Sequence, residues 1–172
     1  MTLSCDLSVR LKASQRGSSD FGGDRFTPTV AAAIQLASGT GAGQADILFV
    51  DERTVSASSN DDLDLSGVLA DAFGATIAAA EIVAILVING PISGEPNLSD
   101  LTIGGASNAF EGFLGGTSPT VGPIKPGGVF LLAAGDAAGI GTVGAGSTDE
   151  LRISAGAGGD ATYQIAIIAR SA

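Results

Sequence analysis

GIGTVGAGSTDELRISAGAGGD, residues 139–160, is the stretch on which the fold class turns. Gly139, Gly141 and Gly144 stand in G-x-G-x-x-G spacing, and an acid, Asp160, follows about twenty residues later, the form in which a dinucleotide-binding βαβ unit is written. Such a unit needs a strand running directly into the first glycine and a helix opening after the third, whose N-terminus holds a pyrophosphate. Here VFLLAA (129–134) ends several residues too early. After Gly144, AGSTDELRIS passes within a few residues into alternation, Leu151 and Ile153 against Arg152 and Ser154, which is a strand period. With 26 glycines in 172 residues, three at these offsets arise by chance about 0.6 times. The stretch reads as a glycine-rich loop between two strands.

The rest of the chain repeats that pattern. LSVRLK (7–12) alternates, with Leu7, Val9 and Leu11 expected inward and Arg10 and Lys12 outward. AAAIQLAS (31–38), ILFVDERTV (47–55), LDL (63–65), IVAILVI (82–88), LTIGG (101–105), VFLLAA, LRIS (151–154) and YQIAIIAR (163–170) read as short strands. Turn residues separate them, including a KPGG loop around Pro123 to Gly128. SGVLADAFG (66–74) reads as one or two helical turns, with Ser66 capping the start and Gly74 the end. About nine strands without 3.6-residue periodicity predict an all-β fold, an antiparallel β-sandwich or jelly-roll-like single domain with an extended N-terminal arm. The arm and first strand take residues 1–30, the sandwich 31–172.

Composition excludes several kinds of chemistry. The chain has no His and one Cys, so Ser-His-Asp triads, Cys/His zinc sites and intrachain disulfides are absent. Cys5 has no histidine to activate it and reads as a small packed or incidental residue. Net charge is −10, which argues against nucleic acid or an anionic membrane surface as a partner. Yet four of the eight bases, Arg10, Lys12, Arg16 and Arg25, fall in the first 25 residues, ahead of a strongly acidic body.

Three local features invite a functional reading. DLDLSG (62–67) has the first offsets of a calcium loop, but Phe73 stands where its bidentate Glu belongs. Asn60, Asp61, Asp62 and Asp64 remain a cation alternative to a solvated acidic loop. Asn97-Leu98-Ser99 matches a glycosylation acceptor without a secretory leader in view. FGGDRF (21–26) sets Phe21 and Phe26 around Asp24 and Arg25 in a polar arm (14–26), either tucked back onto the domain or anchoring a neighbour. Paired carboxylates for glycoside hydrolysis lack aromatic sugar platforms, with one Tyr and no Trp. No enzyme activity and no cofactor are expected.

From residue 31 onward the order of segments resembles small all-β virion structural proteins of tailed bacteriophages. The resemblance rests on D-x-R-T-x-x-A-S (51–58) with D-L-D-L-x-G (62–67), G-G-A-S-N-A-F (104–110), P-G-G-V (126–129) and the closing apolar strand after a Gly/Ala turn. It implies a virion component made in the host cytoplasm, foremost a capsid decoration (cement) protein on the head surface. Its partners would be the major capsid protein and copies of itself, a trimer being natural, with no cofactor. The candidate contact residues are then Arg10, Lys12, Arg16, Phe21, Arg25 and Phe26. A tail tube, tip or fibre component is the alternative, and a glycan-binding sandwich for host attachment is a third.

Overall fold

A computed structural model describes residues 2–18, 22–110, 112–115 and 119–172. Among these there are sixteen strand segments and no helix. The first five are β1 (Cys5–Lys12), β2 (Gln15–Arg16), β3 (Arg25–Phe26), β4 (Thr29–Ser38) and β5 (Gln44–Ala45). The body follows with β6 (Ile47–Val55), β7 (Asn60–Asp64), β8 (Ser66–Ala70), β9 (Thr76–Ala78), β10 (Glu81–Ile88) and β11 (Leu101–Gly104). It ends with β12 (Thr120–Ile124), β13 (Val129–Ala133), β14 (Gly141–Thr142), β15 (Glu150–Ala155) and β16 (Ala161–Arg170).

Eight of these strands make two antiparallel sheets, ordered β13-β10-β16-β6 and β12-β11-β15-β7. Followed through these eight strands, the chain changes sheet at every step except β11 to β12. That interleaving is a jelly roll. Its core is shared between the sheets: Phe49, Ile85, Val87, Ile165 and Ile167 from one, Leu63, Leu101, Ile103, Leu151 and Ile153 from the other. In β15 the burial alternates residue by residue, as expected of a strand with one face in the core and one in water. β10 is apolar on both faces because its outer face is also partly covered.

The stretch at 139–160 is indeed loop and strand. Gly141 and Thr142 add a short rung to the edge of β10, and β15 follows. Its first two motif glycines serve packing. Gly139 has φ +59°, and a Cβ there would overlap the Ile82 carbonyl; one on Gly141 would strike the backbone of Gly112.

Two expectations need correction. Residues 66–74 form no helical turn: β8 and β9 make a hairpin that buries Leu69 and Ile77 in the main core. At its turn the Asp71 carboxylate accepts the amides of Phe73 and Ala75 at 2.9 Å each, a local bond that competes with helix. The acidic segment from Asn60 is strand rather than solvated loop, because β15 supplies a ladder and two arginines face its carboxylates. The polar stretch 14–26, which the sequence allows as an arm or a long loop, pairs β2 with β3 and is the arm.

Candidate functional site

Residues 5–16 and 25–36 form one two-stranded ribbon. Its register is constant from Cys5↔Leu36 through Lys12↔Thr29 to Arg16↔Arg25, with Ala13 N–H donating to the Pro28 carbonyl across the break between segments. The expected boundary at residue 30 therefore falls inside β4. Constant register keeps each side chain on a constant face. Cys5, Leu7, Val9, Leu11, Val30, Ala32, Ile34, Leu36 and, beyond the break, Phe26 share one side. Arg10, Lys12, Arg16 and Arg25 share the other.

The ribbon's base is anchored. Leu3, Cys5, Leu7, Ile34 and Leu36 pack over Val83, Ala84, Ala133 and Ile168, on the outer face of the β13-β10-β16-β6 sheet. Burial, and then the neighbouring Asp6 carboxylate, push the Cys5 thiol up, away from thiolate character. Past the Val9↔Ala32 pair the ribbon runs on to Arg16 for roughly 24 Å at about 3.4 Å per residue. The expected inward placement of Val9 and Leu11 fails: Val9 and Ala32 only border a gap over Leu131, Leu132 and Ala133, and Leu11 stands beyond it. Val9 is 48% exposed, Leu11 59%, Phe26 66% and Val30 67%. Phe26 is not tucked back; Phe21 lies outside the described residues.

The charges divide in the same way. Up to Pro28 the chain has four bases and three acids; from Thr29 on it has four bases and fifteen acids. All four body bases sit in ion pairs: Arg53 with Asp61 and Asp51, Lys125 with Asp100, Arg152 with Asp62, Arg170 with Glu81. Among the described residues no ribbon base pairs with an acid; Arg25 Nε donates to Ser14 Oγ at 3.1 Å. Arg16 and Arg25 stand directly opposite each other, an arrangement that costs stability unless an anion faces them.

A second surface was not foreseen from the sequence. On the outer face of the same sheet, the register sets Val50, Ala166, Leu86 and Leu131 in one row across all four strands. The neighbouring row, Leu48, Ile168, Ala84 and Ala133, is the one the ribbon base covers in part. The Val50 row is open at Val50, which is 62% exposed; the other three are half-buried, and Leu131 borders the gap under Val9 and Ala32 of the ribbon. On its far side the third row, Glu52, Gln164, Ile88 and Val129, turns polar at one end. The signal was present in IVAILVI and YQIAIIAR, which are apolar on both faces.

The buried polar groups serve the fold. Tyr163 Oη donates to Asp61 Oδ2 at 2.7 Å, and Arg53 grips the same carboxylate at 2.7 and 2.9 Å. Burial alone would raise the Asp61 carboxyl, but the Arg53 and Tyr163 hydrogen bonds outweigh it and hold the group below the ordinary range. Burial, then the Asp61 carboxylate, push the Tyr163 phenol well up. Arg170, fully buried, donates to Glu81 and to the carbonyls of Gln44, Asp136 and Ala137, tying the last strand to β5 and to the loop after β13. The glycosylation-like Asn97 is buried, donating to Asn89 Oδ1 and the Thr162 carbonyl, so in the fold its amide is not open to a glycan. Among the described residues no buried side-chain N or O lacks a partner, and no cluster of three or more acids or thiols is placed to hold a metal. Of the cation alternative, Asp61 and Asp62 face arginines and Asp64 caps the Ser66 amide. No family model, curated protein or solved structure matches the chain.

Proposed function

We propose that this protein is a non-enzymatic structural subunit of a bacteriophage particle, a capsid decoration (cement) protein whose N-terminal ribbon is its docking element. The observation that carries this reading is the ribbon itself: anchored at its base, two-faced along its length and exposed beyond Leu7. A globular chain gains nothing from holding Val9, Leu11, Phe26 and Val30 in water, whereas a subunit that meets a neighbour buries them on assembly. The jelly roll is a frame used by viral capsid domains and by lectins alike, so the surfaces rather than the frame carry the inference. A self-contained sandwich with a protruding ribbon favours a decorating subunit over a tail-tube subunit, whose strand edges would be consumed in closing an inner barrel. Reinforcement would work by association: each contact across a capsomer junction adds binding free energy that opposes genome pressure.

The test is location. Gold-labelled antibody on intact particles should decorate heads. Label confined to tails would transfer the reading to a tail component, and particles without label would remove the virion assignment.

A further inference from the structure

We infer that the occupant of the ribbon's apolar face is a second copy of this chain, docking on the open row Val50, Ala166, Leu86 and Leu131. The inference deepens the docking reading above and rests on it for the ribbon's role.

Three observations converge on a copy of the same chain. First, the contact already exists in cis at the ribbon's base. There the same ribbon face, through Leu7, Ile34 and Leu36, packs on the same sheet face, at Ala84, Ala133 and Ile168. The open row is the next row along, separated from the covered one by two residues on each strand. A second ribbon laid there extends an interface whose chemistry the molecule has already satisfied once. Second, both halves of the contact leave apolar surface open in the single chain, wholly on the distal ribbon and at Val50, in part at Ala166, Leu86 and Leu131. Val9, Leu11, Val30 and Phe26 stand on the ribbon, and four side chains cross the sheet. Third, the charges permit this pairing and oppose body against body. The body, with four bases against fifteen acids, repels another body, whereas the segment up to Pro28, with four bases against three acids, does not repel it. With the apolar face down on the neighbour, Arg10, Lys12, Arg16 and Arg25 ride outward, free for an acidic surface on the same neighbour or on the shell.

The contact joins two different patches, so it is heterologous: each copy gives a ribbon and receives one, and the assembly closes into a ring or propagates. A row of apolar side chains flanked by Glu52 and Gln164 of the next row has the make-up of an interface centre with its rim.

The experiment uses two variants of the full chain. One carries Leu11→Asp and Phe26→Asp on the ribbon; the other carries Val50→Asp on the sheet. All three positions are exposed, so the fold should persist, and the fluorescence of Tyr163, the sole and fully buried tyrosine, reports whether it does. Sedimentation equilibrium is run up to about 100 µM, where even a weak contact is populated. Wild type should assemble. Each variant alone should lose assembly, its dissociation constant raised by about 100-fold or more. An equimolar mixture should stop at a one-to-one heterodimer, since one intact ribbon can still meet one intact row. As a second route, a variant with Cys5→Ser and with Leu11→Cys and Val50→Cys should give inter-copy cross-links with a short bismaleimide. A monomeric wild type overturns the inference. So does a Val50 variant that assembles like wild type, which would mean ribbon-to-ribbon contact, and so does a mixture that stays monomeric. A wild type that is monomeric yet labels phage heads would remove this contact and leave the docking reading standing. The contact found without any particle binding would do the reverse.

Discussion

Arg53, Asp61 and Tyr163 form a partly buried cluster on the edge where β6 turns into β7, and its titration is readable from the outside. The Asp61 carboxyl is more acidic folded than unfolded. Its contribution to stability is therefore fully present above the ordinary carboxyl value of 3.8 and is lost as pH falls through the lower folded value. Asp61→Asn should flatten the acid limb of the stability–pH curve and cost about 1–3 kcal/mol at pH 7, read from urea midpoints. The phenol runs the other way. Folded Tyr163 stays protonated where an unfolded tyrosine ionises, so its contribution is intact below pH 10.0 and declines as pH rises above it. Tyr163→Phe should unfold less steeply than wild type above pH 10.0, a difference that thermal melts across that range would show. None of this was legible in the sequence. Asp61, Asp62 and Asp64 have the look of a solvated loop or a cation site until β15 and β6 bring Arg152 and Arg53 opposite them.

Strands were legible and their exceptions instructive. Alternation marked β15 and apolar runs marked β10 and β16, because a half-buried strand and a doubly covered one leave different periods. Ser66 and Gly74 at 66–74 have a spacing that fits helix caps as well as a hairpin whose turn Asp71 anchors; Leu69 and Ile77 decide it by reaching the core. The glycine motif shows the same ambiguity. Gly139 has positive φ and no room for a Cβ, whereas Gly146 has φ +70° and open space around it. Gly146→Ala should cost roughly 1–2 kcal/mol, the left-handed strain alone. Gly139→Ala must also displace the Ile82 carbonyl inside the sheet and should cost at least about 1 kcal/mol more. Equal costs, measured by denaturant unfolding, would mean that the loop yields and that its close approach to β10 is not required.

At the scale of the molecule, the basic arm ahead of an acidic body could be read from charge positions alone, but not that the arm is a ribbon belonging to two regions at once. Pairing over a distance leaves no local mark: the match of Cys5 to Leu36 and of Val50 to Leu131 across four strands exists only once the sheets are assembled. The consequence is a sharp difference between two shortened chains. Deleting residues 1–28 takes away Leu3, Cys5 and Leu7 and uncovers Ala84, Ala133 and Ile168 beneath them. At about 25 cal/mol per Å² of apolar surface, three partly buried side chains are worth roughly 2–4 kcal/mol. Replacing residues 9–32 by Asn-Gly instead closes the ribbon at the Ser8↔Ala33 pair with a tight turn and leaves the base intact. That variant should keep the wild-type unfolding midpoint to within about 0.5 kcal/mol, because the described residues of the removed segment are exposed apart from the half-buried Pro28. It should at the same time lose incorporation into particles. Denaturant unfolding and quantification of the protein in purified particles separate the two effects. If the trimmed chain is as unstable as the deletion, the distal ribbon is part of the fold. If it is stable and still incorporated at full occupancy, the ribbon is not the docking element.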